Sequence, residues 1–160
     1  MLTESETPEA RSEWQIVGLG AYISSDDEIG LALVRSLSQD SGFAKRCVLL
    51  ESADAATVAS SVIEWGRPLI LVDAADMDLP PGSIRRIPEE RLSDPFLFTT
   101  HTLPLTFLIE ALGEFVPQVE FLGIQPDVVA FGFPMSPSVR NAVEQVYLSL
   151  KSGEESWDCL

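Results

Sequence analysis

Leu69-Ile70-Leu71-Val72-Asp73 is the most apolar strand-like run in the chain, and it closes on an acid. Outward from it, other short apolar runs recur at Trp14–Gly18, Cys47–Glu51 and Val119–Ile124, with a further strand expected near Ser83–Ile87. Between them lie segments of helical period at 27–38, 54–65, 104–113 and 136–150. Val58, Ala59, Val62 and Ile63 recur behind Asp54 as N-cap, and Leu105, Leu108, Ile109 and Leu112 behind Pro104. Val139, Ala142, Val143, Val146 and Leu150 form the clearest stripe, opened by Ser136 as N-cap and Pro137 at the first helical position. Strands alternating with helices predict an α/β fold: a twisted, mostly parallel sheet with helices on both faces.

The chain has 160 residues and a mass of 17.5 kDa. That suits one domain, read here as 14–151 between flexible ends at 1–13 and 152–160. Ten Lys and Arg stand against 25 Asp and Glu, a formal charge of −15 with no offsetting basic stripe. This argues against a nucleic-acid partner, whose affinity comes largely from cations displacing counterions. No apolar stretch has membrane-helix length and no secretory signal opens the chain, so a cytoplasmic location without a membrane partner is expected. Neither Cys47 nor Cys159 implies a disulfide.

In an open α/β sheet, ligands collect beyond the carboxyl ends of the strands, where the strand order reverses. The first strand runs into Gly18-Leu19-Gly20-Ala21-Tyr22-Ile23, the second ends at Glu51 and the third at Asp73. This has the outline of a dinucleotide fingerprint. Against it, the third glycine is Ile23, and Asp26-Asp27-Glu28 puts three carboxylates where a pyrophosphate needs positive potential. Those acids suit either a cation or the positive end of a helix dipole. Asp73 reads either as a loop cap or as a site residue. His101, the only histidine, lies among Thr99, Thr100 and Thr102. Alone it reads as a loop residue, but with Asp27 and Asp73 it would make a three-ligand set suited to nickel or zinc. No Gly-x-Ser-x-Gly elbow, phosphate loop or His-Glu-x-x-His helix is present, so hydrolytic chemistry would go through a metal.

Gly18-Leu19-Gly20 through Asp26-Asp27 and Gly30, the Leu71-Val72-Asp73-Ala74 strand end and His101 resemble the maturation endopeptidases of [NiFe] hydrogenases. Thr99-Thr100-His101-Thr102-Leu103-Pro104-Leu105 and Phe121-Leu122-Gly123-Ile124-Gln125-Pro126-Asp127 look like the branch serving hydrogenase 3 of formate hydrogenlyase. The resemblance covers about residues 15–150. It implies removal of a C-terminal extension from the large-subunit precursor after nickel insertion. It also implies a nickel-recognition triad at Asp27, Asp73 and His101, with nickel supplied by the precursor, and a substrate-engaging acid at Glu51. Asp26 is expected to point away from such a site. The chain departs from the family pattern at Ala21, Glu28 and Ser52-Ala53, the last replacing a glycine pair that lets backbone approach a bound peptide. Two readings follow: a nickel-dependent endopeptidase, or a non-catalytic relative that binds the nickel-loaded precursor. A dinucleotide-dependent enzyme rests on Gly18 and Gly20 alone.

Overall fold

Five of the apolar runs hydrogen-bond into one sheet in the order β2-β1-β3-β5-β4. The computed structural model describes residues 14–20, 25–41, 43, 46–51, 60, 63–91, 113, 115–116, 118–130, 133–154 and 156–160, with the backbone alone at 19, 25, 27, 46 and 48–51. The strands are β1 (Gln15–Gly20), β2 (Arg46–Glu51), β3 (Leu69–Ala74), β4 (Ile84–Ile87) and β5 (Val119–Ile124). β2, β1, β3 and β5 run parallel and β4 pairs antiparallel with β5, so the sheet is mostly parallel, as expected. The helices are α1 (Ile29–Gln39), preceded by a 3-10 turn at Ser25–Glu28, and α2 (Pro137–Ser152).

Strand side chains alternate between faces. Ile16, Ile70, Val72, Leu122 and Ile124 share a core with Leu33, Val34 and Leu37 of α1 and Val139, Val143 and Val146 of α2. Both helices therefore cover the same face. Val17, Leu69, Leu71 and Phe121, of the opposite parity, are equally buried, so the second face is covered too. Of the two remaining helical segments, residues 60, 63–65 and 113 are described and helical. Asp54 and Pro104, the expected helix openers, lie outside the described residues.

The α2 stripe is buried at the five positions its spacing predicts. Gly153 ends the helix in the left-handed region at φ 76°, its N–H donating to the Ser149 carbonyl at 3.0 Å. At the far end of α1, Asp40 accepts from the Tyr147 hydroxyl at 2.6 Å and pairs with Lys151 at 2.9 Å, pinning α1 to α2. Residues 158–160 lie along β4: the Arg86 N–H donates to the Asp158 carbonyl and the Leu160 N–H to the Arg86 carbonyl, each at 2.8 Å. Backbone pairing thus holds part of the terminal segment at the sheet edge. Cys47 is half-buried, Cys159 is exposed, and the two are not bridged. Among the described residues no helix is long and apolar enough to cross a membrane.

Candidate functional site

The chain leaves β1 to form β2 on one side of it, then returns to form β3 on the other. Connections diverge at this point, and in such sheets the usual ligand position lies beyond the carboxyl ends of the two strands that flank it, here β1 and β3. The 3-10 turn that follows β1, which contains Asp27, packs against both β1 and β3. Asp73 is the penultimate residue of β3, and Glu51 ends β2 directly across from Gly20. The backbones of Asp27, Asp73 and Glu51 are therefore gathered at one sheet edge.

Asp73 is fully buried, and its Oδ1 accepts the Ala74 N–H at 2.7 Å, which fixes the side chain against its own strand end. This is the loop-cap contact expected of a strand-end acid, made on one of the two carboxylate oxygens. The side chains of Asp27 and Glu51 and the whole of His101 lie outside the described residues. Among those described, no three His, Cys, Asp or Glu side chains form a metal-binding group.

Asp26 is fully buried, and its carboxylate takes four hydrogen bonds from the segment between β5 and α2. Oδ2 accepts from the Asp127 N–H, the Val128 N–H and the Ser136 hydroxyl, and Oδ1 from the Ser136 N–H, all at 2.8 Å. Its own N–H donates to the Val128 carbonyl at 3.2 Å. A buried carboxylate is costly unless its lone pairs are satisfied, and here they are. Neither a free cation site nor a simple helix-dipole effect describes this residue. Its donors lie about a hundred positions away, beyond any local spacing rule. Ser136 does occupy the N-cap position of α2, but its hydroxyl goes to Asp26 and makes no cap to the helix. A hydroxyl donating to a carboxylate makes a charge-assisted hydrogen bond, stronger than one to a neutral acceptor.

Gln125 makes a second clasp that the sequence reading did not single out. Its Oε1 accepts the N–H of Met77 at 2.6 Å and of Leu79 at 3.4 Å, while Nε2 donates to Asp76 Oδ1 at 3.2 Å. Its main chain pairs with Gly82 and Ser83. The loop that carries the chain away from Asp73 is thus held by the residue immediately after β5.

The glycine outline at β1 has a packing cause. A Cβ on Gly18 would sit 2.1 Å from the Gly30 carbonyl oxygen and 2.6 Å from Val34 Cγ2. Gly18 is there so that α1 can lie close on the sheet, and close helix–strand contact, not phosphate contact, accounts for it. Of the two glycines that the dinucleotide reading rests on, packing accounts for Gly18, and Asp26, Asp27 and Glu28 stand in the turn just before the helix.

The structure thus defines a small α/β protein with a mostly parallel sheet, in which the backbones of Asp27, Asp73 and Glu51 come to the same end of the strands. Comparison with known proteins is more specific. The family described as hydrogenase maturation protease (HycI) matches residues 31–151, and the chain belongs to that family. The solution structure of the endopeptidase HycI from Escherichia coli is similar at a TM-score of 0.80 and 33% identity, over 92% of this chain and 96% of that one. A crystal structure of the hydrogenase 3 maturation protease gives 0.78 and 34%, over 94% and 98%. The hydrogenase 3 maturation protease of Escherichia coli K12 is 48% identical over 86 residues, 54% of this chain and 55% of that protein. That alignment spans about half the length of the curated relative.

Proposed function

We propose that this chain is an endopeptidase that removes the C-terminal extension of a [NiFe] hydrogenase large-subunit precursor after nickel has been inserted. The observation that carries the reading is the family's match over residues 31–151 together with the packing of the Asp27 turn against the strand that ends in Asp73, at the switch point of the sheet. In this reading the nickel arrives as part of the substrate. Asp27, Asp73 and His101 receive it, two carboxylates offsetting the dication and a neutral imidazole adding a nitrogen donor. The metal would supply either recognition of the loaded precursor or Lewis acidity at the scissile carbonyl or a water. Glu51, at the end of β2, hydrogen-bonds the precursor backbone or orients the attacking water.

Ala21, Glu28 and Ser52-Ala53 favour a second reading, in which the chain binds the nickel-loaded precursor without cutting it. Ser-Ala in place of a glycine pair restricts the close backbone approach a peptide needs. Incubation with nickel-loaded and nickel-free precursor, followed by intact mass, decides between them. Loss of the extension from the loaded form alone supports the endopeptidase; capture of the loaded form at unchanged mass supports the binding protein. Equal treatment of both forms removes nickel recognition from the account.

A further inference from the structure

Asp26 and Gln125 stand at the two ends of the same relation. Asp26 belongs to the turn that contains Asp27, and its four acceptor contacts all go to residues 127, 128 and 136. Gln125 binds the loop that follows Asp73, at Asp76, Met77 and Leu79, and it begins that same 125–136 segment. Both side chains are buried, at 0% and 7% exposure, and the contacts of Asp26 with Ser136 and of Gln125 with the Met77 N–H are buried as well. The turn after β1 and the loop after β3 are therefore tied to one common strut.

We propose that Asp26 and Gln125 are positioning residues, which through residues 125–128 and Ser136 set the spacing between the backbones of Asp27 and Asp73 at the switch point. The inference rests on the reading of Asp27 and Asp73 as nickel-receiving groups. A metal site with few protein donors depends on their placement, because displacing a donor by about 1 Å breaks coordination that a fixed bond length requires. The strut supplies that placement from outside the donor set. Neither residue needs to touch the metal or the precursor.

The test is nickel(II) alone, titrated by calorimetry into the full chain, with the ligand-field spectrum of the bound ion recorded alongside. Asp26→Asn replaces an acceptor by an N–H group facing N–H donors, and Gln125→Ala removes the loop clasp. Ser136→Ala removes one donor of four and guards against an Asp26 variant that does not fold. Circular dichroism at low temperature establishes that each protein is folded. We expect Asp26→Asn and Gln125→Ala to weaken nickel binding at least about ten-fold and to shift the spectrum, with Ser136→Ala weakening it about three-fold. A shifted spectrum in a folded protein is what loss of stability alone would not produce. Parental affinity and spectrum in folded Gln125→Ala and Ser136→Ala overturn the inference, provided Asp27→Asn still abolishes binding. If Asp27→Asn also binds like the parent, or the parent binds neither nickel(II) alone nor, in a pull-down, the nickel-loaded precursor, the reading of the site itself fails and the inference falls with it.

Discussion

Substituting Gly18 by Ala tests how closely α1 must lie on the sheet. The added Cβ would meet the Gly30 carbonyl oxygen at 2.1 Å and its carbon at 2.6 Å, both backbone atoms of α1 that have no rotamer to change. Ordinary contact begins near 3.4 Å, so helix and strand must separate by roughly an ångström, and the buried residues Leu33, Val34 and Leu37 lose contact with the strands. Overpacking of this kind costs about 1–3 kcal/mol. At about 2–4 °C per kcal/mol for a domain of this size, the expected fall in Tm is ~2–12 °C. The same replacement at Gly113, which is helical with nothing within 4 Å of the new Cβ, should raise stability by about 0.5–1 kcal/mol. Thermal melts followed by circular dichroism, with urea midpoints as a second measure, compare the pair. A Gly18→Ala protein that melts within about 1 °C of the parent would refute the close-approach argument, since relief of chain entropy alone predicts stabilisation.

At the other end of α1, the hydrogen bond from Tyr147 to Asp40 raises the tyrosine above its ordinary 10.0, and the Asp40 contact likewise raises Lys151 above 10.5. Because the folded state holds these protons more tightly, the contribution is complete below pH about 10 and disappears as pH climbs through the raised values. Asp40→Asn should therefore lower Tm at pH 8 and flatten its alkaline decline; an unchanged slope above pH 10 would exclude the Asp40 cluster as its source. Leu33→Ala, at a fully buried position between helix and sheet, should cost about 2–5 kcal/mol in urea titrations. Glu51→Gln should slow precursor processing at nearly parental Tm, and wild-type cleavage kinetics would take Glu51 out of the site. Asp73→Asn keeps an oxygen able to accept the Ala74 N–H, so it should stay folded and yet lose nickel-dependent recognition, measured by pull-down of the loaded precursor.

Hydropathy alone located β5 at Val119–Ile124 and the five buried positions of α2, because burial of a helix face or strand face writes its period directly into neighbouring residues. The same local logic placed Asp73 at the end of a buried strand, and the resemblance marked Asp27 and Glu51. Long-range choices were decided by tertiary structure. Nothing in the spacing says that Asp26 will find its hydrogen-bond donors at Asp127, Val128 and Ser136, the last through both its N–H and its hydroxyl. Nor does Gln125 advertise that it will hold Met77, or Gly18 that its missing side chain makes room for Gly30. Periodicity reports what a residue does with water. Which distant donor satisfies a buried acceptor, and which two backbones touch, depends on the order in which strands assemble, and that order exists only once the sheet is formed.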